Sequence, residues 1–277
     1  MKNANRVWFI TGTSTGFGRA LALEAIARGD RVVATARRAA ALADLVAAAP
    51  ERVLACELDV TKPAQISSAV EAAVARFGSL DVLVNNAGFS IVGAVEETSD
   101  AELRATLETM FFGPVALTRA VLPLLRRQGS GTIVQITSMG GLITAPGFGP
   151  YCAAKHALEA VSESLAAELA PHGIRVLIVE PGAFRTDLFG SAFRTMPETP
   201  EYAATVGPTR KHVLDSAGKQ PGDPAKAAKA IADAVAAGAP SLRLPLGEDA
   251  VQAIRAKLAQ VNADVDATES MARATKL

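Results

Sequence analysis

Short, nearly continuous apolar runs alternate along the chain with longer stretches in which apolar residues recur at helical spacing. The short runs are 6–10, 31–35, 53–58, 80–84, 131–136, 175–179 and 241–244. The first six are too short for ordinary helices and are rich in Val and Ile, the pattern of strands buried on both faces. Between them lie segments such as 65–76 and 101–127, long enough for crossover helices. The alternation predicts an α/β fold, a parallel sheet with helices on both sides. Thr61-Lys62-Pro63 marks a helix start, and Pro171 and Gly173 stop the helix that begins near Tyr151. In that helix Leu158, Val161, Leu165 and Leu169 recur at helical spacing and are expected to face the sheet. Two Ala-rich stretches, 223–237 and 250–261, read as amphipathic helices closing the C-terminal part. The segment 197–224 breaks this rhythm with Pro, Gly and polar residues, which suits a lid or substrate loop better than a domain boundary. One domain spanning 1–277 is expected, with a substrate loop around 184–224.

Composition narrows the function classes. Hydrophobic residues make up 49 % of the 277 residues and aromatics only 5 %, so the core is built mainly from Ala, Val, Leu and Ile. The 28 basic residues balance the 28 acidic ones. A disordered chain needs the opposite composition, and a nucleic-acid partner is not expected without a basic excess. Cys56 and Cys152 are too few for a disulfide framework and read as buried free thiols. The polar start, Met1 to Arg6, lacks the apolar stretch of a signal peptide. No apolar run approaches the roughly 18 residues of a membrane span. A soluble cytoplasmic protein without a membrane partner is the expectation. His156 and His172 lack metal-ligand partners at useful spacing; no metal is expected, and both read as surface histidines.

The chemistry begins after the first strand run, at Thr11-Gly12-Thr13-Ser14-Thr15-Gly16-Phe17-Gly18. Glycines in a strand-to-helix turn let the backbone approach a pyrophosphate, and the helix start adds amide donors and a positive dipole end. Three glycines in seven residues also occur in turns that bind nothing. Ser138, Tyr151 and Lys155 form a second cluster. Tyr151 and Lys155 are four apart and share a helix face. An ammonium beside a phenol favours the phenolate, so Lys155 is expected to lower the pKa of Tyr151 and fit it for proton transfer.

Together with Asn85-Asn86-Ala87-Gly88 and Pro181-Gly182-x-x-x-Thr186, these motifs resemble the short-chain dehydrogenase/reductase family over nearly the whole length. The pattern is most similar to its hydroxysteroid/retinol dehydrogenase-like group. The resemblance implies a single-domain Rossmann-like doubly wound sheet whose seventh strand comes from 242–246. It implies that Tyr151 is the general acid/base, that Ser138 holds the substrate oxygen, and that Lys155 binds the nicotinamide ribose and tunes Tyr151. It implies that Asn86, Ala87 and Gly88 line the cofactor, that Asp59 and Val60 sit at the adenine, and that Pro181, Gly182, Phe184 and Thr186 position the nicotinamide. It also implies a homodimer or homotetramer built through helices 101–127 and 151–169.

One position departs from the family. An asparagine usual before Phe111-Phe112-Gly113 is replaced by Met110. Methionine cannot make that side chain's hydrogen bonds to a proton-relay water, so activity is expected to survive at a reduced level. The alternative is a nucleotide-binding sensor with weak or no turnover. After the second strand run stands Ala36-Arg37-Arg38, with no carboxylate to hold the ribose hydroxyls of NAD. Arg37 suits a 2′-phosphate, so NADP(H) is expected to be preferred, with NAD(H) still usable. Leu188, Phe189, Phe193, Met196 and Tyr202 offer an apolar lining for a bulky hydrophobic ketone or secondary alcohol, or else pack the loop onto the body.

Overall fold

β1 (Val7–Ile10) is completely buried because both its faces are covered. Trp8 and Ile10 point into one apolar layer, Val7 and Phe9 into the other. The computed structural model describes residues 5–190 and 193–276. Residues 1–4 of the polar start and 191–192 of the 184–224 segment lie outside the described residues.

After β1 the chain runs through α1 (Gly16–Ala27), β2 (Arg31–Ala36), α2 (Ala43–Ala48), β3 (Val53–Glu57), α3 (Pro63–Phe77), β4 (Val82–Asn85) and β5 (Ser90–Val92). It continues with α4 (Asp100–Leu107), α5 (Gly113–Gln128), β6 (Gly131–Ile136), α6 (Gly149–Leu169), β7 (Ile174–Pro181) and β8 (Phe193–Thr195). α7 (Gly207–Ser216), α8 (Pro224–Ala236), β9 (Arg243–Leu246) and α9 (Glu248–Arg273) complete it. Seven strands form one parallel sheet in the order β3-β2-β1-β4-β6-β7-β9. α1 and α8 cover one face through Leu21, Ala25, Ile231 and Val235. α3, α5 and α6 cover the other through Ile66, Leu117, Val121 and Leu169. Strand order reverses between β1 and β4, so the loops after these two strands diverge and leave a crevice at their carboxyl ends.

All seven expected strands of this sheet are present, with ends shifted by a residue or two. α3 starts at Pro63 and ends at the left-handed Gly78, with φ 74°. Gly173, also left-handed at φ 69°, turns the chain into β7; a Cβ there would collide with the Gly129 carbonyl. The helix expected over 101–127 runs from Asp100 to Gln128 with a π turn at Glu108–Phe112. Taken as one helix it is long and apolar enough to cross a membrane by length and composition. Polar residues punctuate it, so no uninterrupted apolar run marks it in the sequence. Its inner stripe, Leu117, Val121 and Leu125, is fully buried against the sheet. The last helix corrects an expectation: it is more than twice the length read from 250–261, and only Ala250 and Ile254 are buried in it.

The segment 184–224 is more structured than its composition suggests. β8 pairs in parallel with β5, and α7 follows. One carboxylate fastens the segment. Glu97 accepts from the amides of Ala94 and Thr199, from the Thr199 hydroxyl and from Arg210. Arg210 also donates to the carbonyls of Met196 and Pro197. Burial raises the pKa of Glu97, but these bonds and the Arg210 charge outweigh it and hold the carboxyl down to about 2. A depressed carboxyl pKa contributes stability above the unfolded value and loses it as pH falls through the folded one. The latch is therefore expected to persist at pH 4.5 and to fail as pH falls toward 2. At neutral pH, Arg210→Met is expected to speed amide hydrogen exchange at Ala94 and Thr199 with little change in the sheet. Unchanged exchange at these two amides would contradict the latch.

Candidate active site

The crevice is built where the turns after β1 and β4 meet. The Thr11 hydroxyl accepts from the amides of Asn86, at 2.8 Å, and Ala87, at 2.9 Å, and donates to the Val84 carbonyl. The Asn86 amide group donates back to the carbonyls of Thr11, at 2.8 Å, and Gly12. Gly18 must be glycine: a Cβ would collide with the Gly12 carbonyl and the Asn86 side chain. Gly12 and Gly16 hold positive φ, 71° and 58°. Thr13 is fully buried and bonds its hydroxyl to the Thr35 carbonyl, so its side chain serves the turn and not the crevice. Ser14 is half-buried and Thr15 exposed. α1 starts with no side-chain cap and no acid in its first turn. The donors at this helix start are thus not taken up by a capping side chain, and the turn fits an anionic pyrophosphate.

The flanking residues divide. Asn86, Ala87 and Gly88 leave β4 beside the glycine turn; Gly88 backs onto Met110, and a Cβ there would lie 3.2 Å from its sulfur. Met110 is 1 % exposed and sits inside the π turn. Asp59 accepts from the Thr61 amide and hydroxyl, at 3.0 and 2.8 Å. Val60 is buried against Gly113. Arg37 is exposed at the end of β2, and its charge is among those that hold the Asp59 pKa down against burial and alongside the Thr61 bonds.

Ser138, Tyr151 and Lys155 converge from β6 and α6. The Ser138 hydroxyl accepts from the Gly140 amide at 3.0 Å and donates to the Pro181 carbonyl at 3.4 Å. Lys155 is 5 % exposed and donates to the Ile136 carbonyl at 2.8 Å. Its nitrogen lies 5.7 Å from the centre of the Tyr151 ring. Burial pushes Lys155 down to about 8, opposed by the charge of Glu159. Tyr151 retains some exposed surface, yet desolvation by its dense surroundings pushes its pKa up to about 12, opposed by a hydrogen bond with Ser138. The expectation that Lys155 lowers the phenol below its usual value is therefore not met here: desolvation dominates.

Pro181, Gly182, Phe184 and Thr186 leave β7 on the far side. The Phe184 ring packs on Phe17 with centres 5.1 Å apart, joining this loop to the glycine turn. Thr186 faces Gly16, with its Cβ 3.5 Å from where a Gly16 Cβ would stand. A cavity of about 390 Å³ opens here, lined by Gly16, Arg185, Thr186, Phe189 and Gly218 among others. The apolar loop residues split between the two readings. Phe189 stacks on Phe148, which packs edge-on against Tyr151, and Phe193 packs on Phe189. Met196 packs with Phe89 and Ile91 in a cluster that Tyr151 also borders, and Tyr202 bonds to Glu96.

Two contributors escaped the sequence reading. Asp249, at the start of α9, accepts from the Ala183 amide at 2.7 Å and occupies the space a Gly182 side chain would need. His156, expected at the surface, is half-buried; its Nδ1 lies 3.1 Å from the Gly140 carbonyl and 2.9 Å from that of Cys152, so it must donate. The Gly182 and Asp249 positions are 67 residues apart in the chain, and neither carries a motif that would couple them.

The chain belongs to the short-chain dehydrogenase family, whose model matches residues 6–197. It is 41 % identical to the oxidoreductase BOA17 of Botryotinia fuckeliana over 248 residues, 89 % of this chain and 90 % of that one. The crystal structure of a short-chain dehydrogenase from Streptomyces avermitilis matches with a TM-score of 0.93 at 51 % identity, over 100 % of both chains. A 3-ketoacyl-(acyl-carrier-protein) reductase from Brucella melitensis, complexed with NADH, matches with a TM-score of 0.73 at 28 % identity, covering 87 % of this chain and 96 % of that one. An alcohol dehydrogenase from Thermococcus sibiricus, complexed with 5-hydroxy-NADP, matches with a TM-score of 0.70 at 25 % identity, covering 87 % and 94 %. The family is one of oxidoreductases, and the nucleotide-bound neighbours support a nicotinamide cofactor.

The chain has two tyrosines, so Tyr202→Phe leaves Tyr151 as the single phenol. Its absorbance titration in the cofactor-free protein is expected to show a midpoint above the ordinary 10 and close to 12. A midpoint at or below 10 would mean that Lys155 outweighs burial.

Proposed function

We propose that the protein is an NADP(H)-dependent oxidoreductase that interconverts hydrophobic ketones and secondary alcohols. The observation that carries this is the convergence of Ser138, Tyr151 and Lys155 beside a glycine turn whose helix start is uncapped. The nicotinamide, when bound, supplies or accepts the hydride. The chain's own groups handle the substrate oxygen. The Ser138 hydroxyl donates a hydrogen bond to a carbonyl and holds it at Tyr151. A phenol kept protonated by burial suits donation of a proton to the oxygen as it gains charge. In the reverse direction the phenolate takes the alcohol proton, and the Lys155 ammonium, 5.7 Å from the ring centre, is the charge that stabilises it. Phe148, Phe189 and Phe193 supply apolar surface next to Tyr151, which supports a hydrophobic substrate.

Arg37 supports the NADP(H) preference: it is exposed at the carboxyl end of β2, with Ala36 and Arg38 as neighbours and no acid in the turn. A homodimer or homotetramer is part of the proposal. The Asp100–Gln128 helix is apolar yet only partly buried, and Phe112 beside the π turn is 50 % exposed. A cytoplasmic location fits two buried free cysteines. The balanced charge gives no support for a nucleic-acid partner. The second reading, a nucleotide sensor with little turnover, is favoured by Met110, whose buried side chain brings no hydrogen-bonding group to the site other than a weak sulfur acceptor.

Tyr151→Phe is expected to lower turnover of a hydrophobic ketone by roughly 10²- to 10⁴-fold while keeping NADPH affinity. An unaffected rate would remove Tyr151 from proton transfer. Arg37→Asp is expected to shift the NADPH/NADH affinity ratio toward NADH by roughly ten- to a hundred-fold. An unchanged ratio, measured by nicotinamide fluorescence, would sink the assignment of Arg37 to the 2′-phosphate.

A further inference from the structure

One helical turn beyond Lys155 on α6 stands Glu159, and residues four apart share a helix face. Both side chains are buried. Glu159 makes its ion pair elsewhere, with Arg243 of β9. The same guanidinium pairs with the fully buried Glu180 of β7 and with the exposed Glu163 of α6. Two buried acids thus share one half-buried cation. Among the described residues, Glu159 Oε1 and Glu180 Oε2 lack a hydrogen-bond partner when both acids are ionised. A single proton held between the acids would satisfy them: burial first, then the charge of Glu159, pushes Glu180 well above the usual carboxylate range, with Arg243 opposing. Gly141, in the turn after Ser138, makes room for the Glu159 carboxylate, since a Cβ there would collide with it.

We propose that Glu159 is a positioning residue of the site: its buried carboxylate, fixed by Arg243, keeps the Lys155 side chain as an ammonium ion able to bind the nicotinamide ribose. This rests on the reading of the crevice as a nicotinamide-nucleotide site. The need for such a residue follows from burial. Lys155 has a carbonyl partner but, among the described residues, no carboxylate paired with it, and desolvation alone favours its neutral form. Charges several ångströms apart in a desolvated site interact strongly enough to move a pKa by about one unit.

The other charged or titratable groups around the pair are few. α6 itself adds Tyr151, Cys152, His156 and Glu163. Tyr151 and Cys152 are pushed up by burial to about 12 and about 11, so they stay neutral through the pH range of interest. β7 adds Glu180 and β9 adds Arg243. Also packed against α6, α4, the π turn, the turn at 170–172 and β7 carry Asp100, Arg104, Glu108, His172 and Arg175, all exposed, and Glu102, which is paired with Arg194; β5 and the buried Met110 bring no charge.

The experiment is NADPH binding to the full-length chain from pH 6.5 to 9.5, about 8 being the value for Lys155, followed by nicotinamide fluorescence. Affinity of the wild type is expected to fall through a midpoint near 8. In Glu159→Gln that midpoint is expected to move down by about one pH unit. Glu159→Asp, which keeps the charge, is expected to restore it, and Glu163→Gln, which only loses an exposed partner of Arg243, to leave it in place. If Glu159→Gln does not fold, Glu180→Gln, which removes the acid that shares the proton and leaves Glu159 ionised, is expected to keep the midpoint in place or raise it, and a lowered midpoint overturns the proposal. A purely structural role would lower affinity equally at every pH, and that result, or an unmoved midpoint, overturns the proposal. Failure of the wild type to bind NADPH or NADH at any pH would overturn the nucleotide reading itself, a distinct outcome.

Discussion

The Thr11 hydroxyl joins the carboxyl ends of β1 and β4, and the rest of the site is assembled around that join. It satisfies two backbone donors, those of Asn86 and Ala87, which would otherwise be unpaired at the crevice. These two part-buried amides, paired to one hydroxyl, fix where the β4 loop can run. Asn86 reciprocates by holding the carbonyls of Thr11 and Gly12. The glycine turn is thereby set at one distance from the loop that faces it, and Gly18 lets the helix start close against it without a side chain in the way. The parallel sheet supplies the reason for the place: every strand of it ends on the same edge, and the order reverses between β1 and β4.

Burial then decides the proton chemistry. Tyr151 and Lys155 share a helix face, but proximity alone does not make the phenol acidic. Desolvation acts on both groups in the direction of neutrality, raising the phenol and lowering the ammonium. Under the proposed mechanism such a pair suits proton donation to a carbonyl better than acceptance from an alcohol. What restores charge to Lys155 must come from outside the pair. In the proposed scheme that source is the Glu159 carboxylate, one turn along the same helix face and held by Arg243 from the far edge of the sheet. The C-terminal strand and helix thus have two ties to the site, Arg243 to Glu159 and Glu180, and Asp249 to the Ala183 amide.

Most of the fold is legible in the sequence because a strand buried on both faces is written as an uninterrupted apolar run. β5 and β8 are not legible: each has three residues, and they pair with each other across about a hundred positions. α7 hides for a related reason. It follows Pro and Gly residues and is held by one buried pair, Arg210 with Glu97, whose partners are equally distant in the chain. Local spacing places Tyr151 over Lys155 and the glycines at the start of α1. It says nothing of desolvation, which reverses the expected direction of the Tyr151 shift. It also cannot show that His156 bridges two carbonyls, that Asp249 stands in for a side chain at Gly182, or that α9 leaves the body after Ile254.

The most direct test of this account is a titration of the purified protein with NADPH and with NADH, followed by nicotinamide fluorescence, with a panel of hydrophobic ketones then added to the same sample. The expected result is tighter binding of NADPH, followed by its oxidation by at least one ketone. Tight binding with no oxidation by any of them would contradict the catalytic claim and turn the reading toward a sensor. Failure to bind either nucleotide would contradict the account from the glycine turn upward.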